Sequence, residues 1–147
     1  MTYPSRARLP LHRRSLLRGA IALTAASSLP KRQGHAGEVL SSTGETVFVN
    51  ENELKDLQRS LAGEVVLPAS ANYDAERRLW NPAIDNRPAI IAKCTSLSDI
   101  QAALQFARTH NLLTAIRGGG HNYDGTGMSD GGITLDLSPF RGVEVDR

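Results

Sequence analysis

The strongest constraint on the fold is a succession of three segments between residues 89 and 117. Residues 89–94 form a continuous apolar run, which is typical of a strand buried on both faces. Ser98 begins a Ser-Asp-Ile-Gln capping box, and apolar residues then recur at the spacing of one helix face up to about residue 110. Residues 112–116 form a second apolar run. Because the connections are short, the pattern predicts a β-α-β unit with parallel strands and a right-handed crossover.

Weaker signals lie on either side of this unit. Asn50 followed by Glu53 at the capping-box position predicts a helix over residues 50–61. Residues 65–86 contain several prolines and asparagines without a sustained period, and we interpret them as an ordered loop. Residues 133–137 alternate apolar and polar side chains, which predicts a half-exposed strand. The predicted fold class is therefore α+β.

The length and the cysteine count exclude several kinds of protein. A chain of 147 residues has room for one small domain, so a separate substrate domain is excluded. Its single cysteine excludes an internal disulfide and a zinc site built from several thiolates. The segment from Asp124 to Asp130 lacks the spacing and the terminal glutamate of a calcium-binding EF-hand loop. No metal is expected.

Residues 1–36, here called the leader, differ in charge from the rest of the chain. The leader carries seven lysines and arginines and no acidic residue. The remaining residues carry ten basic and fifteen acidic side chains, a net charge of −5. The predicted pI of about 9.0 therefore belongs to the leader. Since the rest of the chain has no basic stripe, we expect no nucleic-acid partner.

The leader has the order of parts that is typical of an export signal. The pair Arg13-Arg14 precedes an uncharged apolar stretch over residues 19–29, and two basic residues follow it. This stretch is shorter than the roughly 20 residues that a membrane-spanning helix needs, so no stable membrane anchor is expected. The arginine pair resembles a twin-arginine signal that engages the corresponding translocation machinery, with an ordinary secretory signal as the alternative. Cleavage after Ala36 would leave residues 37–147 as a bacterial periplasmic or secreted protein.

Three consecutive glycines follow the second apolar run, in the segment Arg117-Gly118-Gly119-Gly120-His121. Without Cβ atoms, their N–H groups can approach an anion such as a pyrophosphate closely, and Arg117 offers bidentate geometry to phosphate oxygens. A strand-like pattern follows instead of a helix, so the segment is not a Rossmann fingerprint, and it lacks the Gly-Lys-Ser/Thr of a P-loop. It is chemically suited to a nucleotide. Three glycines taken alone favour a flexible turn instead, so the interpretation depends on the neighbouring residues.

The order and spacing of these motifs resemble the flavoprotein oxidases and dehydrogenases of the vanillyl-alcohol oxidase and berberine-bridge-enzyme type. The resemblance runs from about Tyr73 to Asp146. It rests on the ordered pieces Tyr73-Asp74, Trp80-Asn81, Arg117 to His121, Asp130-Gly131-Gly132 and Asp136-Leu137-Ser138. The fold that it implies is the first, N-terminal half of a p-cresol methylhydroxylase (PCMH)-type FAD-binding domain, which is incomplete in this chain.

The resemblance implies FAD as the cofactor. In this family the histidine at the position of His121 is commonly bonded to the 8α-methyl carbon of the flavin. A neutral imidazole suits that bond, because lysine would be protonated at neutral pH and serine is too weak a nucleophile. A loop histidine that only hydrogen-bonds locally is the alternative. The expected cofactor-binding residues are Arg117, Gly118, Gly119, Gly120, His121, Asn122 and Gly125.

The implied reaction is oxidation of a small-molecule substrate by hydride transfer to FAD, with reoxidation by oxygen. Complete family members continue past the point where this chain ends, so we expect a fragment that is inactive alone, and no catalytic residue is assigned. The alternative is an exported module that binds a nucleotide or phosphate without redox chemistry. Tyr73 and Trp80 are predicted to be packing residues, Cys94 to be an inert buried thiol, and His110 to be structural.

Overall fold

The described part of the protein, residues 37–142, 145 and 146 of a computed structural model, contains three helices and six strands. The predicted export signal lies outside these residues. The elements in chain order are β1 (Glu38–Leu40), β2 (Thr46–Phe48), α1 (Glu51–Ser60), β3 (Glu64–Val66), α2 (Tyr73–Glu76), β4 (Ile90–Lys93), α3 (Leu97–Thr109), β5 (Thr114–Arg117) and β6 (Ile133–Asp136). This mixture of helices and strands confirms the predicted α+β class.

Four of the strands form one sheet in the order β3-β4-β6-β5. Strand β6 pairs in parallel with β4 on one side and with β5 on the other, and β3 pairs antiparallel with the outer edge of β4. Strands β1 and β2 form a separate antiparallel pair. The described helices are too short, or too polar, to cross a lipid bilayer.

The predicted strand-helix-strand succession is present as β4, α3 and β5, but its two strands are not neighbours. They are parallel, as predicted, and β6 lies between them. Helix α3 begins after Ser96, whose hydroxyl accepts a hydrogen bond from the Asp99 N–H at 3.2 Å. The prediction that Ser98 caps this helix was therefore wrong. His110 is the C-cap, which agrees with the predicted end of the helix.

Strand β6 is buried along its whole length, so the prediction of a half-exposed strand was wrong. It occupies the middle of the sheet, and its two polar side chains have partners inside the protein. The Thr134 hydroxyl oxygen accepts a hydrogen bond from the Ser129 N–H at 3.0 Å. The Asp136 carboxylate accepts one from the Ser138 N–H at 3.0 Å. These hydrogen bonds offset part of the cost of burying the two groups.

Two helices cover one face of the sheet, and a third covers the other. Helices α1 and α3 pack over Ile90 and Leu135, while α2 places Tyr73 against Ile91 on the opposite face. Helix α1 matches its prediction closely, since Asn50 and Glu53 form the reciprocal hydrogen bonds of a capping box. The pair β1–β2, strand β3 and helix α2 were not predicted.

A buried carboxylate ties the two large helices together. Asp99, in the first turn of α3, is 1% exposed. It accepts hydrogen bonds from the N–H groups of Ala62 and Gly63, which follow α1, and from Thr95 and Ser96. Burial raises the pKa of Asp99, but these hydrogen bonds outweigh it and hold the pKa well below its usual value.

Candidate functional site

The glycine segment leaves the carboxyl end of β5, and a cavity of about 330 Å³ opens there. Ligands of open sheets with parallel strands generally bind beyond the carboxyl ends of those strands. The cavity is lined by Leu79, Ile116, residues 117–122, Thr126 and Gly127. Six of the seven predicted cofactor-binding residues, Arg117 through Asn122, are therefore brought together in one cavity. No acidic residue is among those that line it.

The three glycines give the cavity a wall of main chain. A Cβ at Gly118 would meet nothing within 4 Å, which leaves that part of the wall open. A Cβ at Gly119 would lie 2.9 Å from the His121 ring. Gly120 has a φ of +73°, a conformation that residues with side chains rarely adopt. A side chain at Gly119 would thus displace the imidazole, and one at Gly120 would strain the turn, so glycine is most strongly favoured at Gly120.

The seventh predicted residue, Gly125, is not among the residues that line the cavity. It is buried, has a φ of +75°, and its Cβ position would lie 2.6 Å from Cγ2 of Ile84. The absence of a side chain at Gly125 therefore permits close packing between its loop and the segment that follows α2.

Arg117 contacts protein groups on two sides. Its Nη1 donates a hydrogen bond to the Glu76 carbonyl at the end of α2, and its Nε lies 3.8 Å from Oδ1 of Asp136 in β6. Within the described residues, neither the Arg117 Nε nor the Asp136 Oδ2 has a hydrogen-bond partner. The guanidinium thus fixes the start of the glycine segment against α2 and β6. A contact between Arg117 and phosphate stays a prediction.

His121 is exposed at the edge of the cavity, beside an exposed tryptophan. The centroids of the His121 and Trp80 rings are 6.5 Å apart, and Trp80 is 68% exposed. The prediction that Trp80 is a packing residue was therefore wrong. The same prediction for Tyr73 is confirmed, since Tyr73 is buried and its hydroxyl donates to the Pro88 carbonyl at 2.7 Å. Burial raises the pKa of the Tyr73 hydroxyl.

The segment that follows α2, residues 79–87, holds the glycine segment and its continuation in place. The main-chain N–H of Trp80 donates to the Gly120 carbonyl at 3.1 Å, and the Asn81 side chain donates to the Tyr123 carbonyl at 3.1 Å. The Asn86 side chain donates to the Met128 carbonyl at 2.7 Å. Sequence reasoning missed this role because residues 79–87 have no periodic pattern. The adjacent Trp80-Asn81 pair, which belongs to the family resemblance, was the available signal.

The arrangement suits a ligand that carries a diphosphate. The wall is glycine backbone free of side chains, an arginine lies at its base and an imidazole at its edge, and no carboxylate in the lining would repel an anion. Within residues 37–142, 145 and 146, no group of three or more His, Cys, Asp or Glu side chains could hold a metal ion.

Comparisons with known proteins identify relatives of this region. A family model described as an FAD binding domain matches residues 88–147. (R)-6-hydroxynicotine oxidase of Paenarthrobacter nicotinovorans is 36% identical over 87 residues, which are 59% of this chain and 19% of that protein. Berberine bridge enzyme-like 12 of Arabidopsis thaliana is 35% identical over 108 residues, 67% of this chain and 20% of that protein.

Solved structures agree with these matches. The crystal structure of 6-hydroxy-D-nicotine oxidase from Arthrobacter nicotinovorans superposes with a TM-score of 0.56 at 36% identity, over 59% of this chain and 19% of that one. The structure of Phl p 4.0202, a glucose dehydrogenase, superposes with a TM-score of 0.58 at 25% identity, over 65% and 22% of the two chains. The chain spans about a fifth of the length of the relatives it matches.

Proposed function

Because this chain belongs to the vanillyl-alcohol oxidase and PCMH family of FAD-linked oxidoreductases, we propose that residues 37–147 are the FAD-binding portion of an exported flavin-dependent oxidoreductase. The observation that carries the proposal is the cavity at the carboxyl end of β5, with its glycine wall and His121 at its edge. This cavity lies mostly within the region matched by the FAD binding domain family.

The residues present fit the cofactor. The N–H groups of Gly118, Gly119 and Gly120 would hold the pyrophosphate, and Asn122 adds a polar side chain. His121 would form a covalent bond with the 8α-methyl carbon of the flavin, which its exposure at the edge of the cavity permits. That bond would replace one C–H bond of the methyl group and the imidazole N–H, and the two protons and two electrons released would reduce oxygen to hydrogen peroxide. FAD, when bound, accepts a hydride from a small-molecule substrate and passes the electrons on. Oxygen is the acceptor that we propose, because a matched relative is named an oxidase.

We further propose that this portion binds FAD without oxidising substrate by itself. The support is that no carboxylate lines the cavity and that the chain spans about a fifth of its relatives. A base that takes a proton from the substrate would then come from elsewhere in a full-length relative. The alternative of a phosphate-binding module without redox chemistry is not favoured, since the matched relatives are FAD-linked oxidoreductases.

The proposal is tested by titrating the full 147-residue chain with FAD, ADP and inorganic phosphate, with binding followed by calorimetry. We expect FAD to bind at least about tenfold more tightly than ADP and more tightly still than phosphate, since each part of the ligand adds contacts. Equal affinity for all three would favour the phosphate-binding module and contradict the proposal.

A charge substitution locates the site in that experiment. Gly118→Glu places a negative charge in the cavity, and Gly142→Glu places the same charge at a position that is equally free of neighbours. We expect Gly118→Glu to weaken FAD binding about tenfold or more, because the carboxylate repels the pyrophosphate, and Gly142→Glu to leave it unchanged. Equal effects of the two substitutions would place the binding site elsewhere.

Export through the twin-arginine route is a separate proposal, supported by the leader sequence. Replacing Arg13 and Arg14 together by lysine should leave most of the precursor in the cytoplasm, because that route reads the arginine pair. An ordinary secretory signal needs only positive charge, so it would tolerate the change. Cell fractionation of a bacterial host that expresses the full chain measures the outcome. Replacing Arg6 and Arg8 by lysine is the matched control, and export of all three chains would contradict the twin-arginine assignment.

A further inference from the structure

Trp80 has an exposed side chain at the edge of the cavity that the glycine segment lines, here called the glycine cavity. The main chain of Trp80 is nevertheless held by a hydrogen bond. Trp80 is 68% exposed, whereas tryptophan is usually highly buried. Its main-chain N–H donates to the Gly120 carbonyl at 3.1 Å. The neighbouring Asn81 donates from its side chain to the Tyr123 carbonyl at 3.1 Å and accepts from the Ala83 N–H at 3.1 Å. The exposed indole is therefore part of an ordered loop, in which both Trp80 and Asn81 are hydrogen-bonded.

The surroundings of Trp80 are apolar and aromatic. The His121 ring centroid is 6.5 Å away, Tyr123 is 73% exposed, and Leu79 and the exposed Ile116 line the cavity. We call Trp80, His121 and Tyr123 the aromatic rim. The site thus combines a wall of glycine main chain with the aromatic rim beside it. These two chemistries match a ligand that has a diphosphate at one end and a flat, largely apolar ring system at the other.

We propose that the Trp80 indole contacts the ring system of bound flavin and covers it beside His121. This inference rests on the proposed function, because the proposed covalent bond to His121 is what would bring the flavin ring system next to Trp80. The imidazole that would hold the flavin lies 6.5 Å from the indole, measured between the ring centroids of the two side chains. Stacking on a flat heterocycle would then remove the exposed indole from water.

The single tryptophan makes the contact measurable in the full chain, because all indole emission comes from Trp80. Without ligand, acrylamide should quench that emission rapidly. With FAD, the bimolecular quenching constant obtained from emission lifetimes should fall about twofold or more, since a ring over one face shields roughly half of the indole. ADP, which carries the diphosphate without the flavin, should leave this constant unchanged.

The outcomes separate the inference from the proposed function. If ultrafiltration shows that FAD is retained and the quenching constant does not change, Trp80 makes no contact with the flavin and the proposed function stands. If ADP shields the indole as strongly as FAD does, the inference is also wrong. If no FAD is retained, both fail.

A second measurement uses variants of matched exposure. Trp80→Ala should weaken FAD binding about tenfold, in the range of a lost aromatic stacking contact, and Trp80→Phe should recover most of that loss. Phe48→Ala removes an aromatic ring that is 74% exposed on β2 and is not among the residues that line the glycine cavity. It should leave FAD binding unchanged. Unchanged binding in Trp80→Ala, or equal loss in both alanine variants, would overturn the inference.

Discussion

Replacing His121 by alanine is expected to abolish covalent retention of flavin by the full chain. The wild-type chain, incubated with FAD and then precipitated with acid, should keep yellow colour and show flavin fluorescence on a denaturing gel. His121→Ala should show neither, because alanine offers no nitrogen to bond the 8α-methyl carbon. The mass of the intact wild-type chain should also increase by that of about one flavin.

Two controls make this result specific. His110→Ala removes the imidazole of the C-cap residue of α3, which contacts the Phe106 ring outside the glycine cavity, and it should retain flavin normally. Calorimetry of His121→Ala with FAD should still detect reversible binding, which distinguishes loss of the bond from loss of the site. Flavin that survives acid precipitation in His121→Ala, or wild-type chain that releases all of its flavin, would contradict the covalent role.

Asp99→Ala is expected to lower the free energy of unfolding by about 3–5 kcal/mol, because several buried donors lose their acceptor and each costs about 1 kcal/mol or more. Its carboxylate accepts hydrogen bonds from the N–H groups of Ala62, Gly63 and Thr95, and each of these donors would lose that partner. Asp99→Asn should destabilise as well, because its amide group would have to face at least one of these donors. Urea unfolding of the full chain, followed by circular dichroism, measures both variants.

Asp56 provides the matched control. It is an exposed aspartate on α1 that pairs with Arg59 at the surface, and Asp56→Ala should change the free energy of unfolding by less than about 0.5 kcal/mol. A loss in Asp99→Ala that is no larger than the loss in Asp56→Ala would show that the buried network does not stabilise the fold.

The destabilisation by Asp99→Ala should depend on pH. The folded protein holds the pKa of Asp99 below the value of about 3.9 that is usual for an unfolded chain. The charged carboxylate therefore stabilises the fold above that pH, and this contribution is lost as the pH falls toward the lower folded pKa. The difference between wild type and Asp99→Ala should be constant above about pH 5 and shrink below about pH 4. A constant difference down to pH 2 would contradict this assignment.

Local signals predicted helices α1 and α3, but they did not predict how the strands are arranged in the sheet. The α1 cap depends on two side chains three residues apart, Asn50 and Glu53, so the sequence contains all of its partners. The start of α3 was predicted at Ser98, two residues too late, because Ser96, which caps the helix, also precedes the helical pattern. Strands β1, β2 and β3 are three residues long, which is too short for an alternating pattern to be recognised.

The position of β6 depended on contacts between distant residues. Its alternation of apolar and polar residues is normally a sign of one exposed face. In the folded chain, Ser129 bonds Thr134, and Arg117 lies beside Asp136, so the polar residues can be buried. The same insertion of β6 separates the two strands of the predicted β-α-β unit. Nothing in residues 89–117 indicates that a later segment will enter between them.

The candidate site was predicted from one segment and is built from two. Residues 117–122 were identified because glycine, arginine and histidine have distinctive chemistry. Residues 79–87 contribute through main-chain bonds and amide side chains, which many sequences could supply. Whether Trp80 is buried or exposed is decided by what packs around it, and its exposure became evident only in the folded structure.

The buried thiol of Cys94 makes the chain convenient for site-directed labelling. Cys94 is fully buried on the carboxyl side of β4, and burial, with the nearby Asp99 and Asp136 carboxylates, raises its pKa to about 11. A thiol-reactive dye needs an accessible thiolate, so at neutral pH it should not react with the native cysteine. A cysteine introduced at an open position such as Gly142 would then accept a single fluorophore without removal of Cys94.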